Sequence, residues 1–153
     1  MNEEIVTLTE GSVARCRAFC GLSGRYLPGY NKKMEWMKAR WPEGLRYKLY
    51  QLDGRNAGFI EYIPGEYAWR GIDAQGYLFI HCFWVIGQNR GRGYGKKLLS
   101  ACLEDARGTN GVAVMVSKAH WLPTPKIFLK NGFTLADQAA PSFDLLVKQL
   151  NTE

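Results

Sequence analysis

The chain has little that would bind it to a membrane or a metal. No apolar run approaches the roughly 20 residues that a membrane-spanning helix needs. Met1-Asn2-Glu3-Glu4 is acidic and polar, unlike the basic and then apolar opening of a secretion signal, so the expected location is the cytoplasm. Cysteine is sparse, four in 153 residues. Cys16 and Cys20 are spaced for one helix face, but no second ligand pair follows, and no metal is expected. Cys82 and Cys102 lie in apolar segments and read as buried free thiols, which suits a reducing compartment. A concentrated basic stripe is also missing. The net charge of +6 is spread along the chain, so nucleic acid is not an expected partner. A small basic group does gather at Arg90, Arg92, Lys96 and Lys97, where it would suit a polyanion. Repeats, linkers and low-complexity segments are absent, and residues 1–153 read as one domain long enough to bury a core.

What is present alternates between strand and helix signals. Ile5 to Leu8 reads as a short strand, and Thr9 or Ser12 can cap a helix running to about Cys20. Gly21 to Gly29 reads as a loop. Tyr30, Met34, Met37 and Trp41 recur at helical spacing, and Pro42 ends that helix. Arg46–Gln51 and Asn56–Ile63 form a hairpin about Asp53-Gly54. Pro64 to Gly76 is a loop. Tyr77 to Ile86 is apolar at nearly every position, so it is expected at the centre of the sheet, covered on both faces. Leu98, Leu99, Cys102, Leu103 and Ala106 line one face of a helix from Gly93 to Ala106. Val112–Val116 is a buried strand. Pro125 opens a short helix to Asn131, and Thr134–Ala139 and Phe143–Lys148 close the chain as a strand pair. The composite is an α/β (α+β) domain with a mixed, mostly antiparallel central sheet flanked by helices.

The most informative stretch joins the central strand to the helix after it: Val85-Ile86-Gly87-Gln88-Asn89-Arg90-Gly91-Arg92-Gly93-Tyr94-Gly95-Lys96-Lys97. A strand, a glycine-rich turn and a helix start together make an anion site, because backbone N–H groups and the positive end of the helix dipole converge there. Gly91, Gly93 and Gly95 leave the backbone uncovered for a phosphate-bearing group. The turn lacks the Lys-Ser/Thr pair of a nucleoside-triphosphate loop, since Lys96-Lys97-Leu98 stands there. A dinucleotide fold would place it in the first strand–helix unit, with an acidic residue after the next strand, but Ser117-Lys118 follows Val116. Arg90-Gly91-Arg92-Gly93-Tyr94-Gly95 instead resembles motif A of the GNAT acyltransferase superfamily, Arg/Gln-x-x-Gly-x-Gly/Ala, with Val85 as the strand-ending aliphatic. Ile127-Phe128-Leu129-Lys130-Asn131-Gly132-Phe133 is similar to the family's closing helix and its Gly-Phe. The resemblance runs from about Ile5 to Lys148. It implies acetyl-CoA as acyl donor, with pyrophosphate on the N–H groups of Arg90, Gly91, Arg92, Gly93, Tyr94 and Gly95. Lys96 stands beside them, and Val85, Ile86 and Gly87 would pair with the pantetheine arm. Such folds often pair strand edges into homodimers.

Transfer from a thioester to an amine needs a proton acceptor, a donor to the developing oxyanion and a departing thiolate. His81 is the first candidate base, since a histidine titrates near ~6.5. It would share a strand face with Phe79, Phe83 and Val85 if no bulge intervenes. The resemblance places it where animal arylalkylamine acetyltransferases carry one of two histidines. The alternative is a core histidine bonded to backbone. Glu61, a charge between Ile60 and Tyr62, is the second candidate, against an ordinary solvent-facing strand residue. The family's leaving-group tyrosine is replaced by Phe128 and its upstream asparagine by Trp121, leaving Tyr94, Tyr62 or water as the acid. Cys82 is expected to face away from His81 and not to form a nucleophile–base couple.

Acceptor choice is expected in residues 21–40 and in the loop Glu66-Tyr67-Ala68-Trp69-Arg70, where Tyr67 and Trp69 could stack on an amine and Glu66 or Asp73 could pair with it. Lys126 and Lys130 are candidates for a far phosphate. The function expected is acetyl transfer from acetyl-CoA to a primary amine by direct attack. The rivals are a non-catalytic acyl-CoA-binding module and, on charge alone, a protein- or RNA-interaction domain. A longer acyl donor is also compatible.

Overall fold

Asp53 and Gly54 both take positive φ, 49° and 78°, the conformation that a two-residue hairpin turn requires. They join β2 (Arg46–Leu52) to β3 (Arg55–Pro64). The computed structural model describes residues 2–12, 28–68, 73–85, 92–117, 125–139 and 143–150. Around the hairpin it sets β1 (Glu3–Thr7), α1 (Pro28–Arg40), β4 (Tyr77–Val85) and α2 (Tyr94–Asp105). These are followed by β5 (Gly111–Ser117), α3 (Lys126–Lys130), β6 (Thr134–Ala139) and β7 (Phe143–Gln149). The helix expected between Thr9 and Cys20 lies almost wholly outside the described residues. The second helix starts at Pro28, earlier than its apolar spacing suggests. It gives way at Trp41–Glu43 to a 3-10 turn with Pro42, closed by Gly44 at φ 103°.

The seven strands form one sheet in the order β1-β2-β3-β4-β5-β7-β6. Every neighbouring pair is antiparallel except β4 and β5. Strand alternation gives the sheet two apolar faces. On one, Ile60, Tyr62, Ile80, Val112 and Val114 pack against Leu98, Leu99 and Cys102 of α2 and Phe128 of α3. On the other, Tyr47, Leu49, Phe59 and Ile63 pack against Met37 of α1. Ala74, Phe79 and Ala113 form a smaller third cluster.

Two irregularities shape the middle of the sheet. The first is a bulge in β4. Glu61 pairs with Cys82 and Tyr62 with Ile80, so His81 is the extra residue. The second is an early end to the parallel ladder. β4 and β5 pair only from Tyr77–Gly111 to Ile80–Val114, while β4 runs on to Val85 and β5 to Ser117. The expected two-sided cover of β4 therefore fails past the bulge, and Trp84 is 46% exposed.

Gly58 lets the end of β4 approach β3. A Cβ there would stand 2.7 Å from the Trp84 carbonyl oxygen and 3.3 Å from Leu98 Cδ1. Gly58→Val should cost about 1–3 kcal/mol by overpacking. That corresponds to a fall in Tm of about 2–4 °C per kcal/mol, readable by calorimetric melting. An unchanged Tm would show that the strand end shifts freely.

Candidate active site

The first turn of α2 is set by its glycines. Gly93, at φ 81°, is the N-cap, and a Cβ on it would meet nothing within 4 Å. No side chain caps the helix, and the first intrahelical bond runs from Lys97 N–H to the Gly93 carbonyl at 3.2 Å. The amides of Gly93, Tyr94, Gly95 and Lys96 precede that bond, the arrangement that attracts an anion. Gly95 also has a packing role. It is buried, and a Cβ would stand 3.0 Å from Ile127 Cδ1 and 3.2 Å from Phe83 Cζ. On that side its bareness seats α2 against β4 and α3. The helix start is thereby held beside Phe83, just past the end of the β4–β5 ladder.

The remaining loop residues divide. Arg92 and Lys96 are exposed, whereas Tyr94 is buried with its ring stacked on Tyr50 at 4.7 Å. Ile86, Gly87, Arg90 and Gly91 lie outside the described residues. Val85 packs toward the α2 face. Tyr62 points to the same face, and its hydroxyl donates to Asp105 Oδ2 at 2.5 Å. Burial, with that bond, holds the hydroxyl protonated far above the ordinary tyrosine range. Asp105 ends α2, so Tyr62 sits at the opposite end of the helix from Gly93.

The bulge reorganises the other face. His81 does not share a side with Phe83 and Val85, which turn toward α2. It lies with Phe79, ring centroids 5.5 Å apart, and with Trp36 of α1 at 5.6 Å. Cys82 also packs toward the α1 cluster and not away from His81, because the extra residue shifts the alternation.

Glu61 is only 2% exposed, and His81 5%. Glu61 Oε2 is 3.4 Å from His81 Nδ1, and Glu61 Oε1 is 2.6 Å from Lys33 Nζ. Burial alone would raise the Glu61 carboxyl, but His81 and the Lys33 ammonium outweigh it and leave the group below its ordinary value. Glu61 is therefore a carboxylate at neutral pH, able to orient His81 and to balance a cation. Lys33 Nζ also lies 4.5 Å from the centre of the Trp36 ring. Sequence reasoning missed Lys33. The signal was its spacing from Trp36 and Met37, one turn along the inward face of α1.

Other candidates have structural partners. Glu66 Oε1 accepts a bond from Gly76 N–H at 2.6 Å and so ties its own loop. Tyr67, in the 3-10 turn Gly65–Tyr67, is 47% exposed, and Trp69 is outside the described residues. Asp73, Lys126 and Lys130 are exposed. Phe128 is fully buried between Phe83 and Phe133. The Cys102 thiol is pushed well above its usual range by burial and by Asp105, which makes it inert. No helix among the described residues is long and apolar enough to cross a membrane.

A family model described as "Acetyltransferase (GNAT) family" matches residues 17–125. The uncharacterized N-acetyltransferase YoaP of Bacillus subtilis (strain 168) is 36% identical over 151 residues, covering 95% of this chain and 59% of YoaP. The chain thus spans less than two thirds of that relative's length. Among solved structures, YncA from Salmonella typhimurium, determined with its cofactor acetyl-CoA, superposes with a TM-score of 0.69 at 18% identity, over 100% of this chain and 96% of YncA. The ribosomal-protein-alanine N-acetyltransferase from Brucella melitensis gives 0.66 at 17% identity, over 96% of this chain and 99% of that protein. These two share the fold, with its mixed, mostly antiparallel sheet. From the family match across most of the sequence, and a relative aligned along nearly all of it, the chain belongs to the GNAT acetyltransferase family.

Proposed function

We propose that the chain transfers an acetyl group from acetyl-CoA to a primary amine. The observation that supports this most is the divergence of β4 and β5 past Ile80–Val114, with the uncapped start of α2 held beside it by Gly95. The amides of residues 93–96 suit a pyrophosphate, Arg92 and Lys96 add positive charge nearby, and the strand edge near Val85 suits an extended amide-bearing arm. Acetyl-CoA supplies an already activated acyl group: the amine nitrogen forms the new C–N bond as the C–S bond breaks, and sulfur leaves as thiolate.

The chain's own task is to manage the proton. On the α1 side of the sheet, His81 takes the proton that the amine gives up, while Glu61 fixes the imidazole and balances its charge. Phe128 has no proton to give, Tyr62 is bound to Asp105 and Tyr94 is buried against Tyr50, so the thiolate leaves to solvent unprotonated or by way of water. Cys82 and Cys102, neither in a disulfide, fit a reducing, cytoplasmic setting.

Three outcomes test this reading. Isothermal titration with acetyl-CoA should give saturable binding, and no heat at millimolar cofactor would end it; binding without acetylation across an amine panel would mark a non-catalytic binder. His81→Ala should lower kcat by about 10²–10⁴-fold with cofactor affinity kept. Its pH–rate profile should lose the basic-group limb that the native chain shows, and an unaltered profile would remove His81 from the role. Acid stability should single out Glu61. Its folded carboxyl lies below the ordinary 4.5, so the stability from its pairing is complete above that value. That stability is lost as pH falls through the lower folded value. Urea unfolding between pH 6 and 3 should therefore fall more steeply for the native chain than for Glu61→Gln, and equal slopes would contradict the assignment.

A further inference from the structure

Lys33 is itself a primary amine, and it occupies a receptor built for one. Its ammonium meets the Glu61 carboxylate at 2.6 Å and the face of Trp36 at 4.5 Å. The other carboxylate oxygen faces His81. A carboxylate, an aromatic face and a nearby imidazole around one nitrogen form an alkylammonium site. The contacts come from separate elements, with Lys33 and Trp36 on α1, Glu61 on β3 and His81 on β4. The Lys33 side chain is 24% exposed, while Glu61 is 2% exposed, so the lysine stem runs from solvent to the buried charge. The stem that makes this approach is itself an unbranched alkyl chain.

We propose that this cage is the acceptor site for a primary alkylammonium, and that Lys33 is an internal occupant which the acceptor displaces. This rests on the acetyl-transfer reading, and it narrows the acceptor to a cationic amine on an unbranched alkyl stem. Lys33 swings outward with its ammonium into water, the incoming ammonium takes its place on Glu61, and the proton to be removed then lies beside His81. An internal competitor raises the apparent KM by the reciprocal of the fraction of molecules in which it is unseated, so a vacant fraction of about one tenth gives a tenfold rise. Lysine offers the right chemistry for such a placeholder, because it keeps the buried carboxylate paired until substrate arrives.

Lys33→Ala removes a propylammonium group, so n-propylammonium is the probe. At saturating acetyl-CoA, the KM for n-propylamine should fall about tenfold in the variant, raising kcat/KM through KM. Without cofactor, n-propylammonium chloride should raise the variant's Tm relative to potassium chloride at equal ionic strength. At a hundredfold excess over its dissociation constant the rise should be about 5–10 °C. Lys33→Ala/Glu61→Gln should show no such rise. If Lys33→Ala does not fold alone, Lys33→Gln, which keeps a neutral stem, should show the same fall in KM.

A KM that stays level or rises in both variants overturns the proposal, even if the amine restores Tm, because Lys33 would then be only a strut. An amine that leaves the Tm of Lys33→Ala unmoved also overturns it. A Tm response with no acetylated n-propylamine from either protein overturns the acceptor assignment and leaves the cage as an amine-binding site, whereas the acetyl-transfer reading falls only if the whole amine panel also stays unacetylated.

Discussion

The arrangement of the site depends on one extra residue in β4. Because Glu61 pairs with Cys82 and Tyr62 with Ile80, the strand changes side at His81. Before the bulge, Ile80 belongs to the α2 face. After it, Phe83 and Val85 do, while His81 and Cys82 are left with α1. A regular strand would have put the imidazole on the same side as Phe83 and Val85. The bulge also coincides with the end of the parallel ladder at Ile80–Val114. The turn that re-aims the histidine and the parting of the two central strands are thus one local event, as expected for an insertion that bends its strand and sharpens its twist.

Electrostatics then join the sheet to α1. A glutamate buried to the degree of Glu61 is costly unless paired, and its two oxygens are divided between Lys33 and His81. The pairing gives α1 a polar attachment besides its apolar contacts through Met37 and Met34. Its position over the sheet is therefore tied to the ionisation of a residue on β3. Where Tyr62 meets Asp105, the opposite face has its own polar contact, at the far end of α2 from the glycine-rich turn. The two polar pairs flank β3 on opposite faces, and among the described residues the Glu61 pair is the one that adjoins an imidazole.

Much of this was legible before any coordinates. The hairpin at Asp53-Gly54, the apolar run of β4 and the one-sided apolar face of α2 have strong local causes, and their boundaries fall within a residue or two of expectation. The glycine-rich turn and the Gly-Phe after α3 point to the family for the same reason. Sheet order was not legible, because nothing local says that β7 inserts between β5 and β6. The bulge was not legible either, since His81 carries no glycine or proline mark, and the faces assigned to Phe83, Val85 and Cys82 were wrong as a result. Lys33 was overlooked because its meaning comes only from the long-range approach of α1 to β3. Glu66 and Tyr62 were read as free to act, but each is engaged by a distant backbone or side-chain partner.

Gly93 and Gly95 belong to one short motif, yet they answer to different demands. Gly93 is required by the hand of the backbone at the helix start. Gly95 answers to clearance, since a Cβ would stand 3.0 Å from Ile127 Cδ1 and 3.2 Å from Phe83 Cζ and leaves room for little more than a methyl group. A family member that bound no nucleotide-bearing donor would be released from keeping an open anion cradle, but not from keeping a small residue at position 95, where a larger one would press on Phe83 and Ile127. The second half of the signature can therefore outlive the chemistry for which the whole is recognised.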